Sequence, residues 1–373
     1  MKVSSLIPAR KELESLAVYN PGKPIEEVKR ELGLDSIIKL ASNENPFGAS
    51  KKVKQALDKE FQHISLYPES TAPILSKKLS EKWRIHADSI LIGNGSDEII
   101  RMLTKCYIRP GDEAVMAEVT FPRYETCVLM EGGKPVLVPL VDGVHHLEAM
   151  YDAINEKTRM VFVCNPNNPT GTIVDKKRLQ RFIESIPAHV LVIIDEAYYE
   201  YMEDDVKLNT HELIEKHPNL IVTRTFSKIY GLASLRIGYG MMNSEIIQTL
   251  IKVKDPFNSN RFAQAAALAA LEDEPFIEQC RTKNIEGLRY MEAESEKLNL
   301  HYFPSSANFI MIHLHQSGQR IYEELLKRGV IVRSGTLLGF PNSIRVTVGT
   351  EKENKQFITA LKEVIDRGNF REN

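Results

Sequence analysis

From Ile90 onward the chain repeats one pattern: short apolar runs at 90–92, 114–116, 135–141, 160–164, 190–194, 220–222 and 235–240, separated by stretches with helical spacing such as Lys176 to Ile186. Runs this short and, at 160–164, 190–194 and 220–222, apolar throughout rather than at alternate positions suit strands covered on both faces. Strands that alternate with helices specify a mostly parallel sheet flanked by helices, an α/β architecture. The constraint extends to function, because such sheets bind ligands in the crevice beyond the carboxyl ends of their strands. The residues that follow each apolar run are therefore the ones to read for chemistry.

Four run ends carry informative side chains. Leu220-Ile221-Val222 leads into Thr225-Phe226-Ser227-Lys228, with Arg236 shortly after. A lysine amine condenses with aldehydes, while the hydroxyls and the guanidinium suit a phosphate. Val190 to Ile194 runs into Asp195-Glu196-Ala197-Tyr198, where Asp195 either pairs with a protonated pyridine nitrogen or caps the next helix. Met160 to Val163 precedes Asn165-Pro166-Asn167-Asn168-Pro169-Thr170-Gly171, a turn stiffened by its prolines and glycine that can hold the Asn168 amide against a phenolic oxygen. Ile90-Leu91-Ile92 turns through Gly93-Asn94-Gly95-Ser96-Asp97 into an amphipathic helix, so Gly95, Ser96 and Asp97 offer free N–H groups to a phosphate. That turn has neither the third glycine of a dinucleotide fingerprint nor the Lys-Ser/Thr ending of a Walker loop. Singly, each stretch also reads as a solvated loop, a cap or a turn. In this order, they assemble a site for one phosphorylated pyridine aldehyde, pyridoxal phosphate.

On these residues the chain resembles the fold-type I pyridoxal-phosphate-dependent aminotransferases. The resemblance begins at Tyr19-Asn20-Pro21-Gly22-Lys23-Pro24, continues through Ala41-Ser42-Asn43-Glu44-Asn45-Pro46 and Leu66-Tyr67-Pro68, and reaches Ser343-Ile344-Arg345-Val346-Thr347-Val348-Gly349, nearly the whole chain. The opening motif is closest to the histidinol-phosphate branch. Ile229 and Ser234 stand where small Ala or Gly is usual, a departure that bears on packing rather than chemistry.

The resemblance implies a large cofactor-binding domain over 35–264, preceded by an N-terminal arm over 1–34 and followed by a smaller α+β domain over 265–373. It implies Lys228 as the catalytic lysine, Asp195 at the pyridine nitrogen, Tyr198 and Asn168 at the phenolic oxygen, and Phe121 stacked on the ring. Gly95, Ser96, Asp97, Thr225, Ser227 and Arg236 are expected around the phosphate. Tyr67 is expected to reach the phosphate of a second subunit, which makes a homodimer with shared sites, and Tyr19, Asn43 and Asn45 are expected near the substrate. The implied reaction moves an amino group between glutamate, yielding 2-oxoglutarate, and imidazole acetol phosphate, yielding histidinol phosphate, in histidine biosynthesis. An aromatic amino-acid aminotransferase, a threonine-phosphate decarboxylase and a pyridoxal-phosphate-binding regulator without turnover are the alternatives; no basic patch or appended DNA-binding segment favours the last.

Two arginines in the C-terminal part bear on the substrate. Arg345 lies in the strand-like Ile344-Arg345-Val346-Thr347-Val348, between apolar neighbours, and Arg333 in Val330-Ile331-Val332-Arg333-Ser334 is similar. A buried guanidinium needs an anion, either a structural partner or a ligand, and two guanidinium groups suit a phosphate dianion better than one.

Composition narrows the rest. With 373 residues, 43% of them apolar, the chain can bury a large core, and its net charge of −2 gives no general attraction to nucleic acid or to anionic membranes. No apolar run approaches the ~18 residues of a membrane span, and the opening Met-Lys-Val-Ser-Ser lacks a secretory core, so a cytoplasmic protein acting on small molecules is expected. Cys106, Cys127, Cys164 and Cys280 form no Cys-x-x-Cys pair and read as reduced, mostly buried thiols. His313-x-His315 places two imidazoles on one strand face without a third ligand, so no metal is expected, and His145-His146 reads as loop surface.

Overall fold

The structure, a computed structural model, describes residues 7, 9–14, 16, 18, 22–34 and 36–369. After a helix at Ile25–Leu32 and the short strand β1 (Ile38–Lys39), the expected runs become β2 (Ile90–Gly93), β3 (Glu113–Ala117), β4 (Lys134–Val138), β5 (Thr158–Cys164), β6 (Leu191–Asp195), β7 (Leu220–Thr225) and β8 (Gly238–Met242). They form one sheet in the order β2-β8-β7-β6-β5-β3-β4. All neighbours are parallel except β8, which runs antiparallel to both β2 and β7.

The pleat explains why the central runs are apolar throughout. Val161 and Val163 of β5, Val192 and Ile194 of β6 and Val222 of β7 face one core, backed by the alanines of the helix Arg261–Leu271. Phe162, Ile193 and Ile221 face a second core on the other side, covered by Ile99, Ile100 and Leu103 of the helix Ser96–Tyr107. Each fully buried Val, Ile or Leu contributes roughly 1.5–3 kcal/mol, so neither face tolerates a polar exchange.

The C-terminal part is built differently. β9 (Tyr302–Phe303), β10 (Phe309–His313), β12 (Arg333–Ser334) and β13 (Ser343–Thr347) form an antiparallel sheet in the order β12-β13-β10-β9. Its core joins Ile310, Ile312, Ile344 and Val346 to Leu325 and Phe357 of the helices Gly318–Leu326 and Glu351–Asn369. β11 (Val330–Ile331) pairs in parallel with β1, and Ile38 and Leu40 sit in this same core. β1 is short, because its partner offers only two residues.

His145 is buried, 3% exposed, not on the loop surface: the tight turn between Val141 and Val144 folds it under the end of β5, where its Nε2 lies 3.1 Å from the Cys164 carbonyl. His313 ends β10 and meets Ser343 Oγ at 2.9 Å, whereas His315 lies beyond the strand against the Asn299 carbonyl, so the two imidazoles have separate neighbours. Among the described residues no group of three or more His, Cys, Asp or Glu side chains could hold a metal ion, and no helix is long and apolar enough to cross a membrane. The four cysteines are free, and all but Cys106 are buried.

Candidate active site

The parallel strands end at one edge, and there a cavity of about 310 Å³ opens between the large sheet and the C-terminal sheet. Asp195 is the last residue of β6, Thr225 the last of β7, and Cys164 the last of β5, so strand length alone brings them to the same rim. Ser227 and Lys228 follow β7, Asn168 follows β5, Phe121 follows β3, and Ser96 and Asp97 open the helix after β2; all line the cavity.

Asp195 is 3% exposed, and burial pushes its carboxyl up to about 6. Two donors act against that rise: the Tyr124 hydroxyl, 2.6 Å from Oδ2, and the Ala197 N–H, 3.2 Å from Oδ1. A carboxylate so placed favours a cation in the cavity. Across from it, burial and the nearby Arg345 charge lower the Lys228 ammonium to about 8, and its Nζ donates to the Ser42 carbonyl at 3.4 Å. A lysine with a depressed pKa keeps a useful fraction of neutral, nucleophilic amine near neutral pH.

The remaining polar groups are held for one purpose each. Tyr198 accepts a hydrogen bond from Asn43 Nδ2 at 3.0 Å, and burial raises its phenol, so the hydroxyl keeps its own proton to donate. Asn43 is fixed in turn by Thr347, which receives its N–H at 3.0 Å and donates to its Oδ1 at 3.1 Å. Asn168 Oδ1 accepts from Arg345 at 2.5 Å, which leaves its NH₂ for an oxygen in the cavity. Arg236 Nη1 donates to Ser227 Oγ at 3.1 Å, and its Nη2 lies 3.8 Å from Asp97, beside the N-terminus of the helix Ser96–Tyr107. N–H groups, a hydroxyl and a guanidinium at a helix start make an anion site. Gly95 is not in the lining but permits it: φ is +76°, and a Cβ there would come within 2.5 Å of Arg236 Nη2.

The C-terminal sheet supplies the facing wall. Arg333 of β12 and Arg345 of β13 are register partners, both nearly buried and both lining the cavity. Arg345 Nη2 also donates to the Ala41 carbonyl at 2.8 Å.

Two further expected residues lie away from the cavity. Asn45 does not line the cavity: its Nδ2 donates to the Ile229 carbonyl at 2.7 Å and its Oδ1 accepts the Phe47 N–H at 3.0 Å, so the amide braces the turn after Lys228. Tyr67 is 77% exposed, its ring stacked on Phe257 with centroids 4.4 Å apart. Tyr19 lies outside the described residues; Gly22, from the same opening motif, lines the cavity.

The family model of aminotransferase class I and II matches residues 35–361. The chain belongs to this family. The aminotransferase is 46% identical over 354 residues to the histidinol-phosphate aminotransferase of Geobacillus sp. (strain WCH70), an alignment that covers 95% of this chain and 97% of the relative. It is 47% identical over 348 residues to the histidinol-phosphate aminotransferase of Brevibacillus brevis, covering 93% and 96%. Its fold matches the crystal structure of histidinol-phosphate aminotransferase from Sinorhizobium meliloti in complex with pyridoxal-5′-phosphate, with a TM-score of 0.91 and 27% identity over 98% of this chain and 99% of that one.

Sequence reasoning missed two supporting groups of the aminotransferase. Tyr124, behind Asp195, gave no signal beyond its place three residues after Phe121. The other is Glu196 with Arg224. Arg224 is wholly buried, its Nε 2.8 Å and Nη2 2.7 Å from Glu196 Oε2, and its guanidinium lies over the rings of Trp83 and Tyr199, 4.0 and 3.6 Å from their centroids. Both residues adjoin site residues in sequence, and pleating turns them to the opposite side of the sheet. A charge inside a strand that opens on the apolar run Leu220-Ile221-Val222 was the available clue.

Proposed function

We propose that this protein is a histidinol-phosphate aminotransferase that uses pyridoxal phosphate to move an amino group between glutamate and imidazole acetol phosphate, working in the cytoplasm as a homodimer. The observation that carries the reading is the cross-strand pair Arg333 and Arg345 on the wall facing Lys228. Two guanidinium groups on one wall suit a phosphate dianion better than a single carboxylate. Free cysteines suit a reducing compartment.

The residues present fit the cofactor, since a buried carboxylate, a lysine with lowered pKa and a helix-start anion site surround one cavity. When bound, pyridoxal phosphate supplies an aldehyde for amines and a ring that draws electrons from the substrate's Cα–H bond. Asp195 holds a proton at the ring nitrogen, Phe121 covers the ring face, and Tyr198 and the Asn168 NH₂ donate to the phenolic oxygen. Ser96, Thr225, Ser227 and Arg236 hold the phosphate. Lys228 Nζ takes the proton from the substrate's Cα and delivers it again, as general base and then acid. Arg345 and Arg333 orient the substrate through its phosphate, and Arg345 serves the α-carboxylate of glutamate.

Tyr67 fits a role in a second subunit. Its segment exposes Phe61, Ile64, Leu66 and Ile74 together with the nearby Phe257, an apolar surface suited to another copy of the chain. Mixing Lys228→Ala with Tyr67→Phe subunits should restore activity, because one of the two sites then has both residues; exchange without recovery removes the shared site.

The substrate is tested by single-turnover spectral conversion of the loaded enzyme. Histidinol phosphate should react far more efficiently than histidinol or phenylalanine. Preference for phenylalanine would replace this reading with an aromatic aminotransferase, and carbon dioxide from phosphothreonine would replace it with a decarboxylase. No conversion by any of these amines would leave only a regulator.

A further inference from the structure

We propose that Tyr124 is a positioning residue that keeps the Asp195 carboxylate ionised and aimed at the ring nitrogen of bound pyridoxal phosphate. The inference rests on the reading that Asp195 meets that nitrogen. Tyr124 is the second residue of the helix Arg123–Met130 and is wholly buried. Its ring is clamped: it stacks on Phe162 with centroids 4.8 Å apart and planes at 10°, and it meets Phe121 edge-on at 5.5 Å. The hydroxyl is thereby fixed 2.6 Å from Asp195 Oδ2, while Oδ1 receives the Ala197 N–H. One aromatic cluster thus joins the residue expected over the cofactor ring to the acid beneath its nitrogen.

The charge balance around Asp195 makes this hydrogen bond matter. Burial and the Asp97 carboxylate, from the helix Ser96–Tyr107, favour the protonated acid; Tyr124, the Ala197 N–H and Thr223 of β7 favour the anion. The titratable groups Cys164 at the end of β5, Tyr198 after β6 and Lys228 after β7 also face the cavity. The Cys164 thiol is pushed up to about 12, burial foremost, and stays protonated. Asp195 and a pyridine nitrogen share one proton between them. Removing the Tyr124 hydroxyl makes the carboxylate more basic, so that proton moves toward Asp195 and the ring loses electron-withdrawing power. Chemistry slows while substrate binding, set on the opposite wall, does not.

The test uses holoenzyme loaded with pyridoxal phosphate labelled with ¹⁵N in the ring. In wild type the ¹⁵N shift should be that of a protonated nitrogen. In Tyr124→Phe it should move toward the neutral position, with kcat down by about tenfold or more, as expected for a lost hydrogen bond to a charge, and KM within about twofold. Placing 3-fluorotyrosine at position 124, a stronger acid of nearly the same size, should move the signal the other way and covers the case in which Tyr124→Phe does not fold. A fall in kcat with an unmoved ¹⁵N shift would make Tyr124 merely structural, and unchanged kcat and shift would overturn the proposal. Asp195→Asn separates the two levels: if its ring nitrogen stays protonated, the placement of Asp195 fails, and the role of Tyr124 with it.

Discussion

The cavity has two walls that were built by different rules. On the large sheet, parallel strands end together, so each side chain of the cofactor wall takes its place from where its own strand stops: Cys164, Asp195 and Thr225 are last residues of their strands. On the C-terminal sheet, antiparallel pairing sets the site, and Arg333 faces Arg345 only because β12 and β13 meet in one register. A wall made of strand ends tolerates drift along the chain but not loss of a residue. A wall made of register depends on both strands at once, so a slip of one residue would turn a guanidinium to the other face.

The sharpest way to break the comparison is at Lys228, the proposed reactive centre of the strand-end wall. Lys228→Ala should lower turnover by at least ~10⁴-fold, since general base and nucleophile are lost together, while thermal stability stays near wild type. Borohydride should fix the cofactor to the peptide containing Lys228 in wild type and to none in the variant; labelling of another lysine would show that the wall is misread.

Support beneath the same wall is next in size. Arg224→Met leaves Glu196 buried without its cation, which should destabilise the fold by about 3–5 kcal/mol and lower Tm. The double variant Arg224→Met with Glu196→Leu should recover much of that loss. If the single change costs little in thermal melts, the buried pair does not hold the strand ends in place.

The register wall should respond more modestly and with selectivity. Arg333→Met is expected to cost roughly 1.5–3 kcal/mol in kcat/KM for histidinol phosphate and clearly less for glutamate. Arg345→Met should impair both, because it also releases Asn168 Oδ1. Equal losses for both substrates at Arg333 would make that residue structural.

The contrast between the walls also explains what could be read from the sequence. The strand-end wall was legible: an apolar run followed by Asp195 or Lys228 carries its placement with it, and the fold class follows from the same runs. Register was not. Nothing local tells that Arg333 and Arg345 are opposite, or that Ile38 and Leu40 pack into the C-terminal core rather than beside the cofactor segment. Contacts made from other elements, Tyr124 on Asp195 and, on the opposite side of the sheet, Arg224 on Glu196, were equally hidden, since they join residues distant in the chain. Asn45 shows the converse: a motif residue adjacent to the site in sequence turned its amide away to brace a turn.

The pH dependence of cofactor capture measures how strongly the two walls are coupled. Lys228 belongs to one wall, yet after burial itself the next influence that lowers its ammonium to about 8 is Arg345 on the other, with Glu44 and Asp97 pulling the opposite way. Cofactor capture by the protein freed of pyridoxal phosphate needs the neutral amine, so its rate should rise as pH increases through about 8 and level off above. Arg345→Met removes a positive charge, the ammonium is then held more tightly, and the inflection should move to higher pH. Arg333→Met is the comparison, because the leading charges on Lys228 are Arg345, Glu44, Asp97 and Arg236, and its inflection should move less than that of Arg345→Met. The ionisation of free pyridoxal phosphate is common to all three proteins and cancels in the comparison. An inflection that ignores Arg345 would mean that the walls share a cavity without sharing a field.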